Sequence, residues 1–170
     1  SIFKLTMEGQ LGEVFWMRIL SGSLKPGDTV FNPRTGEQEK ISNLLVMRGK
    51  TREDVSSASA GDLVATVKLK GTKMGDTLCL KESAILYPQV HYPSPVSYEA
   101  VNVDDKNDLE KAISALHVYS HLDPTFKLHQ EEETKEMLVY GMGPLHIDVV
   151  ANYVKTKNGV TVHWKKPRIA

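Results

Sequence analysis

Cysteine is almost missing from this sequence. Cys79 stands alone among 170 residues, so no intrachain disulfide and no cysteine-based zinc ligand set can form, and a reducing, cytoplasmic setting is expected. Net charge is missing too, with 21 Lys and Arg against 21 Asp and Glu. Residues 1–90 carry 12 basic and 10 acidic side chains, and residues 91–170 carry 9 and 11. Neither part has the strongly basic balance of an autonomous nucleic-acid binder, and any RNA contact has to come from local patches. No apolar run approaches the roughly 20 residues of a membrane span, and Ser1-Ile2-Phe3-Lys4-Leu5 is not a charged leader followed by an apolar core. With no initiator Met and strand-like alternation already under way at Lys4, the expectation is a soluble, monomeric piece of a longer chain, with no membrane partner.

What is present falls into two patterns. Residues 1–87 are short β-prone runs at 2–7, 13–20, 28–32, 39–47, 62–69 and 76–80, the spacing of a small barrel or sandwich. Pro26-Gly27, Asn32-Pro33-Arg34-Thr35-Gly36 and Lys70-Gly71 supply the turn chemistry between them. In the second run, Val14, Trp16, Arg18 and Leu20 alternate with Phe15, Met17 and Ile19, which predicts a strand covered on both faces. Residues 88–95, with Pro88, Pro93 and Pro95, read as a semi-rigid linker. Residues 96–170 then alternate: strand 96–103, helix 107–121, strand 125–130, strand 136–140, helix 144–157, strand 160–164. That βαββαβ order is ferredoxin-like, so the fold class is α+β in two domains, an all-β barrel followed by a ferredoxin-like sandwich. In the second helix Leu145, Val149, Val150 and Tyr153 are expected on one side and Ile147 and Val154 on the other, so wide an apolar surface that a neighbouring domain should cover part of it.

Several motifs invite a chemical reading and fail it. Gly22-Ser23-Leu24-Lys25-Pro26-Gly27-Asp28-Thr29 has the glycine spacing of a phosphate loop, but Asp28 stands where the essential Lys belongs and Pro26 removes an N–H from the cradle, so a hairpin turn is the reading. Gly141-Met142-Gly143 lacks the third glycine of a dinucleotide fingerprint, although the helix start beyond it remains a candidate anion site. His117 and His121 are four apart on one helix with no third ligand placed by the sequence. Glu131-Glu132-Glu133, in a hairpin loop, and Lys165-Lys166-Pro167-Arg168, leaving the last strand, read as charge runs of the solvated kind, with RNA contact open as an alternative for the second. Arg48, Lys50 and Arg52 cluster in what reads as a long loop before Val55, where RNA contact and plain solvation stay open as alternatives. No catalytic, cofactor-binding or metal-ligating constellation is legible.

The most specific stretch is the strand-to-helix corner Val139-Tyr140-Gly141-Met142-Gly143-Pro144-Leu145-His146-Ile147-Asp148, read with Asp123-Pro124-Thr125-Phe126 upstream. Together they resemble the third domain of elongation factor G, a translational GTPase. Ahead of them Gly12, Ser21-Gly22, Leu24-Lys25-Pro26-Gly27-Asp28, Ala60-Gly61-Asp62 and Gly75-Asp76-Thr77-Leu78 resemble that factor's second domain, in order. The resemblance implies a β-barrel that docks on small-subunit ribosomal RNA, for which Arg48, Lys50 and Arg52 are the candidates. It also implies a domain that relays the state of a GTPase domain lying outside this chain, with its GTP and Mg²⁺, to the ribosome and to the C-terminal domains. The relay surface, which in family members also receives the inhibitor fusidic acid, corresponds to Asp123, Thr125, Gly141, Met142, Gly143, Leu145 and His146. His146 reads equally well as a packed, hydrogen-bonded histidine. Two positions depart from the family pattern: Pro144 replaces a usual Glu, and Tyr153 stands where a basic residue is common. A free-standing anion or small-ligand sensor built on the ferredoxin-like half is the alternative, and a ribosomal protection protein the variant within translation. Gly141 and Gly143 are expected to turn the chain sharply and to keep the backbone bare for the approach of a neighbouring domain, with positive φ and a purely contact-making role both open at each.

Overall fold

Glycines and turn residues break the first ninety residues into nine strands in the computed structural model, which describes residues 1–49 and 51–168. The chain divides into two units between Val90 and His91, within the proline-containing stretch. In the first unit the strands are β1 (Ile2–Glu8), β2 (Gly12–Arg18), β3 (Ser23–Leu24), β4 (Thr29–Asn32), β5 (Glu37–Lys40), β6 (Leu45–Arg48), β7 (Thr51–Asp54), β8 (Ala58–Ser59) and β9 (Leu63–Val67). A five-stranded sheet runs β1-β2-β9-β6-β7, with two-stranded pairs β3-β8 and β4-β5 beside it. Every pairing is antiparallel, as expected of a β-barrel domain.

β2 is covered on both faces. Phe15 and Met17 are buried in one direction, and Val14 in the other joins Leu45, Ala65 and Val67, with Trp16 packed against them. Three expectations need correction. The run at 39–47 is two strands, because the chain bends between them to bury both Ile41 and Leu44 while the Thr66 hydroxyl donates to the Asn43 carbonyl at 2.7 Å. The run at 76–80 is no strand, and pairs only through an isolated bridge between Phe31 and Cys79. The stretch around residues 48–52 is a hairpin rather than a long loop, turning at Gly49, whose φ is 63°. It escaped notice because every side chain of β7 is exposed, so no alternation marks the strand.

The second correction has a cause in buried polar chemistry. The Asp76 carboxylate, 1% exposed, accepts from Arg34 Nε at 2.5 Å and Nη2 at 2.8 Å, from Asn32 Nδ2 at 2.8 Å and from the Lys73 N–H at 2.8 Å. Buried Glu39 accepts from the N–H groups of Lys70 and Gly71 and from the Thr72 hydroxyl. These two carboxylates satisfy the turning backbone of residues 70–76 and hold it against β4 and β5. Burial pushes the Asp76 carboxyl up, but Arg34, Lys73 and Asn32 outweigh it and hold the group below the usual carboxylate range.

The second unit contains β10 (Ser97–Val103), α1 (Leu109–Leu122), β11 (Lys127–Gln130), β12 (Met137–Gly141), α2 (Pro144–Asn158) and β13 (Val162–Lys165). The sheet order β11-β12-β10-β13 is the ferredoxin-like arrangement. Asp105 accepts from the Asn107 N–H at 2.9 Å in the turn leading into α1. α2 has Pro144 in its first turn and ends at Gly159 in the left-handed conformation, both at the positions those residues favour. Ala112, Ala115, Leu116, Phe126, Val139, Ile147, Val150, Val154, Val160 and Val162 form the core. Val150 therefore lies with Ile147 and Val154, not with Leu145 and Val149 as the sequence reading had it, because 147, 150 and 154 are the positions that share one helical face. Among the described residues no helix is long and apolar enough to cross a membrane.

Replacing Asp76 with Ala should strand Asn32 and Arg34 and release the 70–76 turn. Urea unfolding should show a loss of about 3 kcal/mol, the scale for removing one partner of a buried, hydrogen-bonded ion pair. A loss below about 1 kcal/mol would mean the network is dispensable.

Candidate functional site: the Asp123–His146 corner

Three residues, Tyr119, Thr125 and His146, converge on one carboxylate in the second unit. α1 cannot continue through Asp123-Pro124, since the residue before a proline is pushed out of the helical region, and Asp123 takes φ −128° as the helix ends. Its Oδ1 accepts the Thr125 N–H at 2.8 Å and the Thr125 hydroxyl at 2.6 Å, closing a tight turn. Its Oδ2 receives the Tyr119 hydroxyl at 3.4 Å from the last turn of α1 and His146 Nε2 at 2.9 Å from the first turn of α2.

The other ring nitrogen of His146 fixes the tautomer. The Met142 N–H donates to Nδ1 at 3.0 Å, so Nδ1 carries the lone pair and the proton sits on Nε2, facing Asp123. The chain Met142 N–H to imidazole to Asp123 to Thr125 thus ties the Gly-Met-Gly corner to the end of α1. Around it Tyr119 meets Phe126 edge-on at 5.2 Å and Tyr153 at 5.1 Å, while Phe126 lies 6.2 Å from the His146 ring. Burial raises the Asp123 carboxyl, yet the two Thr125 donors and His146 overcome it and leave it lowered. Burial and the adjacent Asp123 charge push the Tyr119 hydroxyl up to about 12, and burial raises Tyr153. All three groups therefore hold one protonation state near neutrality: Asp123 ionised, both phenols neutral.

Neither glycine turns the chain through positive φ. Gly141 is not among the positive-φ residues, and Gly143 has φ 164° and ψ 173°, extended backbone open to any residue. What Gly141 supplies is space. A Cβ there would lie 3.0 Å from Ile147 Cγ1 and 3.2 Å from His146 Nδ1, whereas one at Gly143 would meet nothing within 4 Å. Gly141 lets His146 and the buried Ile147 settle on the strand end; Gly143 leaves the helix start bare.

Among the sequence-derived residues, Asp123, Thr125, Gly141, Met142 and His146 come together here. Leu145 points outward, 78% exposed, with Val149 52% exposed one turn further along the same helix. Tyr119 was missed, although its place four residues before the helix-ending Asp123 puts it on the same side of the final turn. Tyr153 is an aromatic wall of the cluster where the family pattern has a basic residue, and Pro144 at the helix start makes no side-chain hydrogen bond.

The other candidates lie elsewhere. Arg48 pairs with Glu53 across the β6–β7 hairpin at 3.0 Å, and Arg52 pairs with Glu8; Lys50 lies outside the described residues. Both arginines are thus partly neutralised, a feature hidden in the sequence because Glu8 is far away along the chain. The phosphate-loop-like stretch is the turn between β3 and β4, where Asp28 accepts the Lys25 N–H at 2.8 Å. His117 and His121 stand exposed on α1.

Comparisons with known proteins agree with this architecture. Residues 92–166 match the family model described as Elongation Factor G, domain III, and residues 12–79 match that of Elongation factor Tu domain 2. A crystal structure of a protein from Thermus thermophilus superposes with a TM-score of 0.84 and 28% identity, covering 99% of this chain and 26% of that one. The chain belongs to the elongation factor G family of translation factors, and spans about a quarter of the length of that relative.

Gly141→Ala should destabilise the second unit by about 1–2 kcal/mol, since Ile147 and His146 must shift to admit the methyl group, whereas Gly143→Ala should stay within about 0.5 kcal/mol of the parent chain. Equal effects in chemical denaturation would refute the crowding argument. The depressed Asp123 carboxyl fixes the sign of a pH effect. Its contribution is complete above the pKa of the unfolded chain, near 4, and is lost as pH falls through the lower folded value. Asp123→Asn should therefore flatten the acid limb of the stability profile, and an unchanged limb would remove Asp123 from the acid transition.

Proposed function

We propose that the chain is the ribosome-docking and relay portion of a cytoplasmic elongation factor G-like translational GTPase. In this reading the barrel docks on small-subunit ribosomal RNA and protein, using Arg48, Lys50 and Arg52. The ferredoxin-like domain transmits the state of a GTPase domain outside the chain, which holds GTP and Mg²⁺, to the ribosome and to C-terminal domains during translocation or recycling. Nucleotide hydrolysis belongs to that other domain.

The observation that carries the reading is the division of labour at the corner. Asp123, Thr125, His146 and Met142 satisfy one another internally, while Leu145 and Val149 project from the first turns of α2 with 78% and 52% exposure. A helix start held rigid by hydrogen bonds and presenting aliphatic side chains suits docking of a neighbouring domain more than proton transfer or ligand chemistry. Asp123, Thr125, Gly141, Met142, Gly143 and His146 hold the surface, and Leu145 with Val149 forms it. The same geometry weakens the alternative of an anion sensor: the Met142 N–H is spent on His146, and Pro144 has no N–H to offer.

The test uses the full-length protein. Leu145→Asp with Val149→Asp should lower ribosome-stimulated GTP hydrolysis by about tenfold or more, the cost of burying a charge at an apolar contact. Because both positions are exposed, the thermal midpoint of the purified variant should stay within about 2 °C of wild type. Normal stimulated hydrolysis by the stable variant would overturn the relay assignment.

A further inference from the structure

The sheet of the second unit has two unlike faces. Strand alternation and the pairing registers put Val101, Val103, Leu128, Val139, Val162 and Trp164 on the face that packs with α1 and α2. The opposite face carries Tyr98 and Asn102 on β10, Tyr140 on β12, Lys127 and His129 on β11, and His163 and Lys165 on β13. Ala100 and Leu138 form its floor and are buried at 2% and 5% exposure.

We infer that this helix-free face binds single-stranded RNA by stacking bases on Tyr98 and Tyr140. The two tyrosines are register partners on the two central strands, with ring centroids 5.8 Å apart and planes 23° from parallel, and Tyr98 is 56% exposed. Four-stranded sheets of this topology present aromatics from the same two central strands to unstacked bases, so the geometry meets a general requirement of RNA recognition. The charges complement a phosphate backbone. Lys127 is the register partner of Tyr140, and Lys165 pairs with Ala100 beside the rings. Both lysines are exposed, and among the described residues no hydrogen bond or ion pair engages either side chain. Along the paired rows of this face there is no Asp or Glu; the carboxylates at its ends are already engaged, Glu136 just before β12 by Arg168, whose N–H donates at 3.0 Å, and Asp104 beyond the end of β10 by His163 at 3.1 Å.

A protein partner fits less well. The aliphatic side chains of this face are buried in its floor, and what protrudes is aromatic rings, cations, imidazoles and an amide. What favours RNA is the combination of exposed cations flanking stacked rings, which suits a polyanion of flat bases. A duplex is excluded as the occupant because its base faces are already stacked. RNA rather than DNA is the choice because the chain is built of translation-factor domains. The inference stands apart from the ribosomal relay reading, and its test contains no ribosome.

The experiment measures anisotropy of a labelled, mixed-sequence single-stranded RNA of about ten nucleotides, an OB-fold-sized site, titrated with the full 170-residue chain at low salt. Saturable binding is expected. Tyr98→Ala and Tyr140→Ala should each weaken it by about tenfold, and Phe at either position should keep it within about twofold. Tyr98→Leu, which keeps bulk and removes the ring, should behave like the alanine variant. Lys127→Ala with Lys165→Ala should reduce the log–log salt slope by about 1.4, two single-strand phosphates. No saturable binding overturns the inference. So does equal affinity for a duplex of the same length, or affinity unchanged in folded Tyr98→Ala, Tyr98→Leu and Tyr140→Ala variants. Loss of a protein association with RNA binding unchanged would assign the face to protein and overturn it as well.

Discussion

The Asp123 carboxylate organises the second unit. It ends α1, closes the Thr125 turn with two hydrogen bonds and receives His146 from the opening turn of α2. Without an ionised group at that point, the imidazole would lose the acceptor that orients it, and the Met142 N–H would face a ring free to rotate. The hydrogen-bonded chain is short, and each member is held by a partner from a different segment. Position is thus passed from helix end to helix start through polar contacts, with the Tyr119, Phe126 and Tyr153 rings excluding water from one side.

The barrel solves a comparable problem by burial. Asp76 and Glu39 replace missing strand pairing in residues 70–76, so a segment that could have formed another strand becomes a turn satisfied by side chains. Buried carboxylates are costly unless every lone pair finds a donor. Here Arg34, Asn32, Thr72 and three backbone N–H groups supply the donors. The two units therefore share a design in which carboxylates fix irregular backbone, but the barrel's two are buried while that of the corner lies beside exposed aliphatic side chains.

The legibility of the sequence follows from how local each signal was. Helices and strands of the second unit could be read because hydrophobic period, Asp-Pro stop and Gly-Met-Gly start are written within a few residues. β7 could not, since an edge strand exposed on both faces has no apolar alternation. The run at 39–47 misled because burying Ile41 and Leu44 requires a bend that an apolar run does not announce. At the corner, motif spacing gathered Asp123, Thr125, Gly141, Met142 and His146, whereas Tyr119 and Tyr153 depended on the packing of α1 against α2. The reason for Gly141 stayed open for the same cause: a steric demand from Ile147 is a three-dimensional fact, and a glycine in a motif leaves positive φ and close approach equally available.

The hairpin edge has a colloidal consequence. β7 terminates the five-stranded sheet with unpaired backbone, the template on which a second copy could add a strand. Thr51, Arg52, Glu53 and Asp54 are all exposed, so a strand laid along this edge would gain no apolar burial and would crowd charged side chains on both of its faces. The ion pairs that partly neutralise Arg48 and Arg52 also brace the hairpin against the unzipping that would expose longer stretches of edge. An edge so charged is well suited to keeping a concentrated solution of the chain free of sheet-to-sheet association.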